Sequence, residues 1–171
     1  MLKAVSKSTD LPEREQRIGQ IRPLYLKTVN LVERLHRRLL DVIKDEFDRR
    51  GRADINACQA FLLYNIGEQE LSVGELRARG YYLGTNVSYN LKRLIEAGFI
   101  DQQRCNVDRR SVLIKLTRKG HEARDIVSAL YQKHIHTVEQ VAGMYCDEFA
   151  GLNQSLHRLE RFWTDQILYR L

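Results

Sequence analysis

Hydroxyl, amide and phenol groups crowd the stretch TNVSYNLKR at positions 85–93, which ends on the ammonium of Lys92 and the guanidinium of Arg93. At about 100° per residue, a helix over this stretch puts Val87, Leu91, Leu94 and Ile95 on one face. The opposite face then carries Thr85, Asn86, Tyr89, Lys92, Arg93 and Glu96, with Ser88 and Asn90 interleaved in sequence. Uncharged groups of this kind donate to and accept from base edges; an Asn amide fits adenine with about 1–3 kcal/mol of discrimination when bidentate, and basic groups reach phosphates. A second group, Asp108-Arg109-Arg110, sits in a polar turn. There an arginine can enter a minor groove while Asp108 orients it through a carboxylate pair.

Other chemistries lack their residues. Cys58, Cys105 and Cys146 are far apart and odd in number, so neither a closed disulfide framework nor a Cys-x-x-Cys pair can be drawn. His121-Glu122 opens like the zinc-protease motif, but the place of its second His is taken by Asp125. His134 and His136 are two apart and point in different directions on a helix. No nucleophile elbow and no Gly-rich phosphate loop occurs. The expectation is a binding protein with no catalytic residue, no metal and no cofactor.

The elements that must hold these groups follow from periodicity and caps. From Pro23, suited to a first helical turn, apolar residues recur at helical spacing to Phe47, and Gly51 ends the helix. A second helix opens at Asn56 with Gln59 and buries Phe61, Leu62 and Ile66; a third opens at Ser72 with Glu75 and runs to about Arg79. After the link Gly80 to Gly84 comes the helix Thr85 to Ala97, stopped by Gly98, which makes a helix-turn-helix candidate. Phe99–Cys105 and Ser111–Leu116 alternate as two strands, and the arginine turn lies at the tip of their hairpin. Thr117 caps a helix through about Gly143, and a last helix spaces Phe149, Leu152, Leu156, Leu159, Phe162 or Trp163, Ile167 and Leu171 three or four apart. The expected fold is mainly α: a winged helix-turn-helix with a two-stranded β wing, flanked by long N- and C-terminal helices. Its expected divisions are a flexible arm (1–17), an N-terminal dimerisation helix (18–52), a winged-helix lobe (53–117) and C-terminal dimerisation helices (118–171).

Charge points to the partner. The 171 residues carry a net charge of +6, and the segment 72–124, with eleven Lys or Arg against five Asp or Glu, holds all of it. A basic segment in a neutral scaffold suits a polyanion, because Lys and Arg on phosphates release condensed counterions. With 43% hydrophobic and 29% charged residues the chain is neither disordered nor collagen-like. Its longest apolar run, Ala60–Tyr64, is five residues against the roughly 20 of a membrane span, and the N-terminus lacks a secretory apolar segment. No membrane partner and a cytoplasmic location are expected.

The stretch Leu71–Arg124 resembles the winged helix of MarR-type bacterial transcription regulators. The correspondences come in order: SVGEL for the first helix of the motif, NVSYNLKRLIEAGFI for the recognition helix and its exit, DRRS for the wing tip, and LTRKG for the hinge into the next helix. The run GYYLGTNVSYNLKRL is also similar to the alphaproteobacterial branch called LdtR, linked to a cell-wall L,D-transpeptidase gene, which implies control of cell-wall or stress genes. The resemblance implies a homodimer on double-stranded DNA with an inverted-repeat operator. It gives Asp108 a bracing role, makes Arg110 the minor-groove arginine and Arg109 the variable position, and puts Thr85, Asn86, Ser88 and Tyr89 in the base-reading half of the helix.

Apolar stripes on both terminal helices, Leu24–Phe47 and Phe149–Leu171, exceed what a small lobe can cover and favour a two-fold dimer. The resemblance further implies a small aromatic or phenolic effector, for which Tyr25, Thr28, Phe61 and Tyr64 are the candidate positions. A rival reading is a winged-helix protein-interaction module whose basic lobe meets an acidic protein rather than DNA.

Overall fold

The computed structural model describes residues 10–78, 85–104 and 112–169, with the side chains of 13–76, 88–103 and 112–169. It opens with the 40-residue helix α1 (Asp10–Arg49). This helix starts earlier than its apolar pattern predicts: residues 10–17, expected in a loose arm, are helical, and Pro23 lies inside the helix rather than in its first turn. Positions 13–22 are rich in Glu, Arg and Gln, which favour helix without needing an apolar stripe, and Ile18 and Ile21 extend the stripe upstream. Pro23 removes one backbone donor without ending the helix. Gly51, at φ 67°, closes α1 in a left-handed conformation. Its N–H donates to Asp48 O at 3.0 Å and that of Arg52 donates to Phe47 O at 3.0 Å, which satisfies carbonyls the helix leaves over.

Helix α2 (Ala57–Ile66) begins as its capping pair predicts, with Gln59 N donating to Asn56 Oδ1 at 2.9 Å and Asn56 N donating to Gln59 Oε1 at 3.1 Å. It buries Ala60, Leu62, Leu63 and Ile66. Phe61, expected in that core, is only half-buried, because it lies on the flank of the buried face. Strand β1 (Leu71–Ser72) leads directly into α3 (Val73–Ala78). Ser72 caps α3: Glu75 N donates to Ser72 Oγ at 3.0 Å, and Ser72 N donates to Glu75 Oε2 at 2.6 Å.

Helix α4 (Thr85–Glu96), strands β2 (Ile100–Arg104) and β3 (Val112–Leu116), and helices α5 (Arg118–Ala142) and α6 (Cys146–Tyr169) complete the order. The sheet is antiparallel with order β1-β3-β2, in which Ile100 faces Leu116 and Arg104 faces Val112, while Leu71 pairs with Ile114 on the other side of β3. The expected two-stranded wing therefore carries a third strand. At two residues, β1 is too short to show alternation in sequence. The architecture is a mainly helical winged helix-turn-helix flanked by long N- and C-terminal helices.

The chain divides into two compact units, 1–124 and 125–171. The core of the first is apolar, with Ile43, Phe47, Leu63, Leu71, Leu76, Leu94, Phe99 and Ile114 at most 3% exposed. In the second, Ile126, Val127 and Leu130 of α5 are buried, whereas no residue of α6 is. No described helix is long and apolar enough to cross a membrane.

Candidate nucleic-acid interface

Two leucines fix the orientation of α4. Leu91 and Leu94 are 4% and 1% exposed, so the helix turns its other face outward, and Tyr89 is 63% exposed there. Ser88 is exposed and Asn90 half-buried. Lys92 and Arg93 project from the same outer face and share one acid, Glu96, at 3.9 Å and 3.6 Å. Two cations against one carboxylate leave this stripe positive, and pairs as exposed as these dissociate cheaply when a phosphate arrives. Tyr89, Lys92 and Arg93 thus form one presented surface on the face that helical spacing assigns to them, with Ser88 exposed at its edge. The side chains of Thr85 and Asn86 lie outside the described residues, although the backbone puts both positions in the first turn of α4.

The exit of α4 is built with unusual density. Gly98, at φ 74°, lets its own N–H donate to Ile95 O at 3.0 Å and that of Phe99 to Leu94 O at 2.9 Å, a Schellman closure. The next carbonyls are taken by the segment Thr117–Gly120. Thr117 Oγ1 donates to Gly98 O at 2.7 Å and Lys119 Nζ to Ala97 O at 3.2 Å. Thr117 Oγ1 in turn accepts from Gly120 N at 3.1 Å, the cap of α5 that the sequence predicts.

At the border between this outer face and the buried one, α4 walls a cleft of about 680 Å³ with Ser88, Leu91, Lys92 and Ile95, across from Val73 of α3 and Ile114 of β3. Strand β2 ends at Arg104, paired with Val112 at the start of β3. Asp108, Arg109 and Arg110, the expected wing tip, lie outside the described residues. The four positions suggested for an effector fall in two pairs, each one helical turn apart. Tyr25 and Thr28 are on α1, where Thr28 Oγ1 donates to Leu24 O at 3.0 Å, and Phe61 and Tyr64 are half-buried on α2, which packs against α1. Among the described residues no three His, Cys, Asp or Glu side chains converge to hold a metal.

Sequence reasoning missed Asp54 and Lys119. Asp54 accepts from Arg52 Nε at 2.9 Å and lies 3.3 Å from Lys119 Nζ, and Lys119 also sits 4.1 Å from the centroid of the Phe99 ring. The Arg52 hydrogen bonds hold the Asp54 carboxyl below the usual carboxylate range; partial burial opposes this and Lys119 reinforces it. No spacing rule could have found the cluster, because it joins three segments distant in sequence.

Comparison with known proteins agrees with this geometry. The sequence model described as MarR family matches residues 53–111. The exopolysaccharide II synthesis transcriptional activator ExpG of Rhizobium meliloti (strain 1021) is 36% identical over 151 residues, covering 85% of this chain and 74% of its own length. Among solved structures, an E. coli MarR mutant complexed with operator DNA superposes with a TM-score of 0.64 at 22% identity, over 83% of this chain and 96% of that one. The S. aureus MepR–DNA complex gives 0.63 at 18% identity, over 78% and 96%.

Proposed function

Because the chain belongs to the MarR family of transcription regulators, we propose that it binds double-stranded DNA as a homodimer and lays α4 in the major groove. The observation that carries this reading is the outer face of α4, where Ser88, Tyr89, Lys92 and Arg93 are presented on a helix anchored by Leu91 and Leu94. Tyr89 and Ser88, with Asn86 and Thr85 in the first turn and Asn90 at the flank, read base edges, while Lys92 and Arg93 contact phosphates. The turn between β2 and β3 brings Arg110 to the minor groove, with Asp108 bracing it and Arg109 beside it.

The homodimer is supported by apolar side chains left in water. Ile21, Leu24 and Leu35 of α1 are 64–65% exposed, and Leu152, Leu156, Phe162 and Ile167 of α6 are 39–74% exposed. A two-fold partner covers such stripes on both copies at once, spaces two recognition helices about 34 Å apart and selects an inverted repeat. The same reading makes a small aromatic or phenolic molecule the effector, with Tyr25, Thr28, Phe61 and Tyr64 as its contacts.

Salt titration of duplex binding tests the reading. Log affinity should fall linearly with log salt, and Lys92→Ala and Arg93→Ala should each flatten the slope by about 1.8, which is about 0.9 for the phosphate lost by each of the two copies. Asn86→Ala should leave the slope alone and relax sequence choice by about 1–3 kcal/mol. A flat salt dependence, or no duplex binding at low salt, would favour a lobe that meets an acidic protein.

A further inference from the structure

Lys119 lies in the basic segment and, by sequence, counts among the cations available to DNA. The structure gives it other work. Its ammonium donates to Ala97 O at 3.2 Å, pairs with Asp54 Oδ2 at 3.3 Å and sits 4.1 Å from the Phe99 ring centroid. Asp54 is itself clamped by Arg52, whose Nε and Nη2 reach its two oxygens at 2.9 Å and 3.4 Å. Arg52 follows the glycine that closes α1, Ala97 follows the last residue of α4, and Lys119 is in the first turn of α5. The exits of two helices and the start of a third meet at one ammonium.

We infer that Lys119 is a positioning residue for DNA recognition: it sets the angle of α4 from the helix exit and does not contact the nucleic acid. The inference rests on the reading of α4 as the recognition helix. A cation at a helix C-terminus complements the carbonyls left unpaired there. Its second partner, Asp54, ties that terminus to the loop after α1. Leverage makes the angle matter. Twelve residues of α4 span about 18 Å, so a tilt of about 10° around the exit moves the first turn by about 3 Å. That exceeds the tolerance within which a recognition surface must be held, about 0.5 Å.

The experiment uses the full chain and duplexes that the parent protein selects from random sequence. Lys119→Met keeps an unbranched apolar side chain and removes the ammonium, with both its polar contacts and the charge over Phe99. Its affinity should fall about three- to tenfold with the salt slope unchanged. Lys119→Arg, which keeps the charge and can still reach Asp54, should restore affinity. A slope flattened by about 1.8, about 0.9 for each copy, would make Lys119 a phosphate contact and overturn the inference. Unchanged affinity in Lys119→Met, or no rescue by arginine, would overturn it too. If Lys119→Met does not fold, Lys119→Gln is measured against the same outcomes. Failure of the parent protein to select any duplex shows up before a variant is made, and defeats the reading of α4 rather than the role of Lys119.

Discussion

Asp54 shows how much one carboxylate can be asked to do. It faces two cations, Arg52 and Lys119, and the Arg52 hydrogen bonds keep its proton affinity below that of a free aspartate. The sign of the consequence follows from linkage. The folded value lies under the unfolded value of about 3.9, so Asp54 stabilises the fold fully above that pH and the contribution is lost as pH falls through the folded value. Asp54→Asn should therefore lose less stability than the parent as pH falls below about 3.9, measured as the shift in urea midpoint. At this scale the sequence exposes types and hides partners. The outward positions of Tyr89, Lys92 and Arg93 were legible because helical spacing alone assigns their face. The roles of Asp54 and Lys119 were not, because they depend on segments that meet only once α1, α4 and α5 are folded.

At the level of elements, the most demanding contact is the seat of α5 on the turn after α4. Gly120 has room for a hydrogen and nothing more: a Cβ there would lie 2.1 Å from Phe99 O and 3.2 Å from Leu116 Cβ. The obstacle is backbone, which cannot rotate aside. Gly120→Ala should cost about 1–3 kcal/mol, seen as a lower urea midpoint with an unchanged m value. The caps on either side were readable beforehand, since Asn56 with Gln59, Ser72 with Glu75, and Thr117 each announce a helix start by side-chain chemistry alone. Two elements escaped for opposite reasons. Strand β1 has too few residues to alternate and is defined by its partner β3, and the first turns of α1 are too polar to show a stripe before Ile18, although the Glu, Arg and Gln residues at 13–17 favour helix.

For the whole molecule, the balance of buried and exposed apolar surface is uneven. The first unit closes a core around Phe99 and Leu94, while α6 buries none of its residues. In the proposed homodimer that surface is the interface, so Leu156→Asp combined with Phe162→Asp should yield a species sedimenting at the single-chain mass of 20.1 kDa. The same variant should lose operator affinity while its salt slope roughly halves, because one recognition helix replaces two. A double variant that still sediments as a dimer would place the interface elsewhere. The separation of duties along α4 has a consequence for the history of such proteins. Its fixings are Leu91, Leu94, Ala97 and Gly98, whereas Ser88, Tyr89, Lys92 and Arg93 face outward. If α4 reads DNA as proposed, gene duplicates can therefore drift to new operators by exchanging outward residues alone, without first having to survive a damaged scaffold.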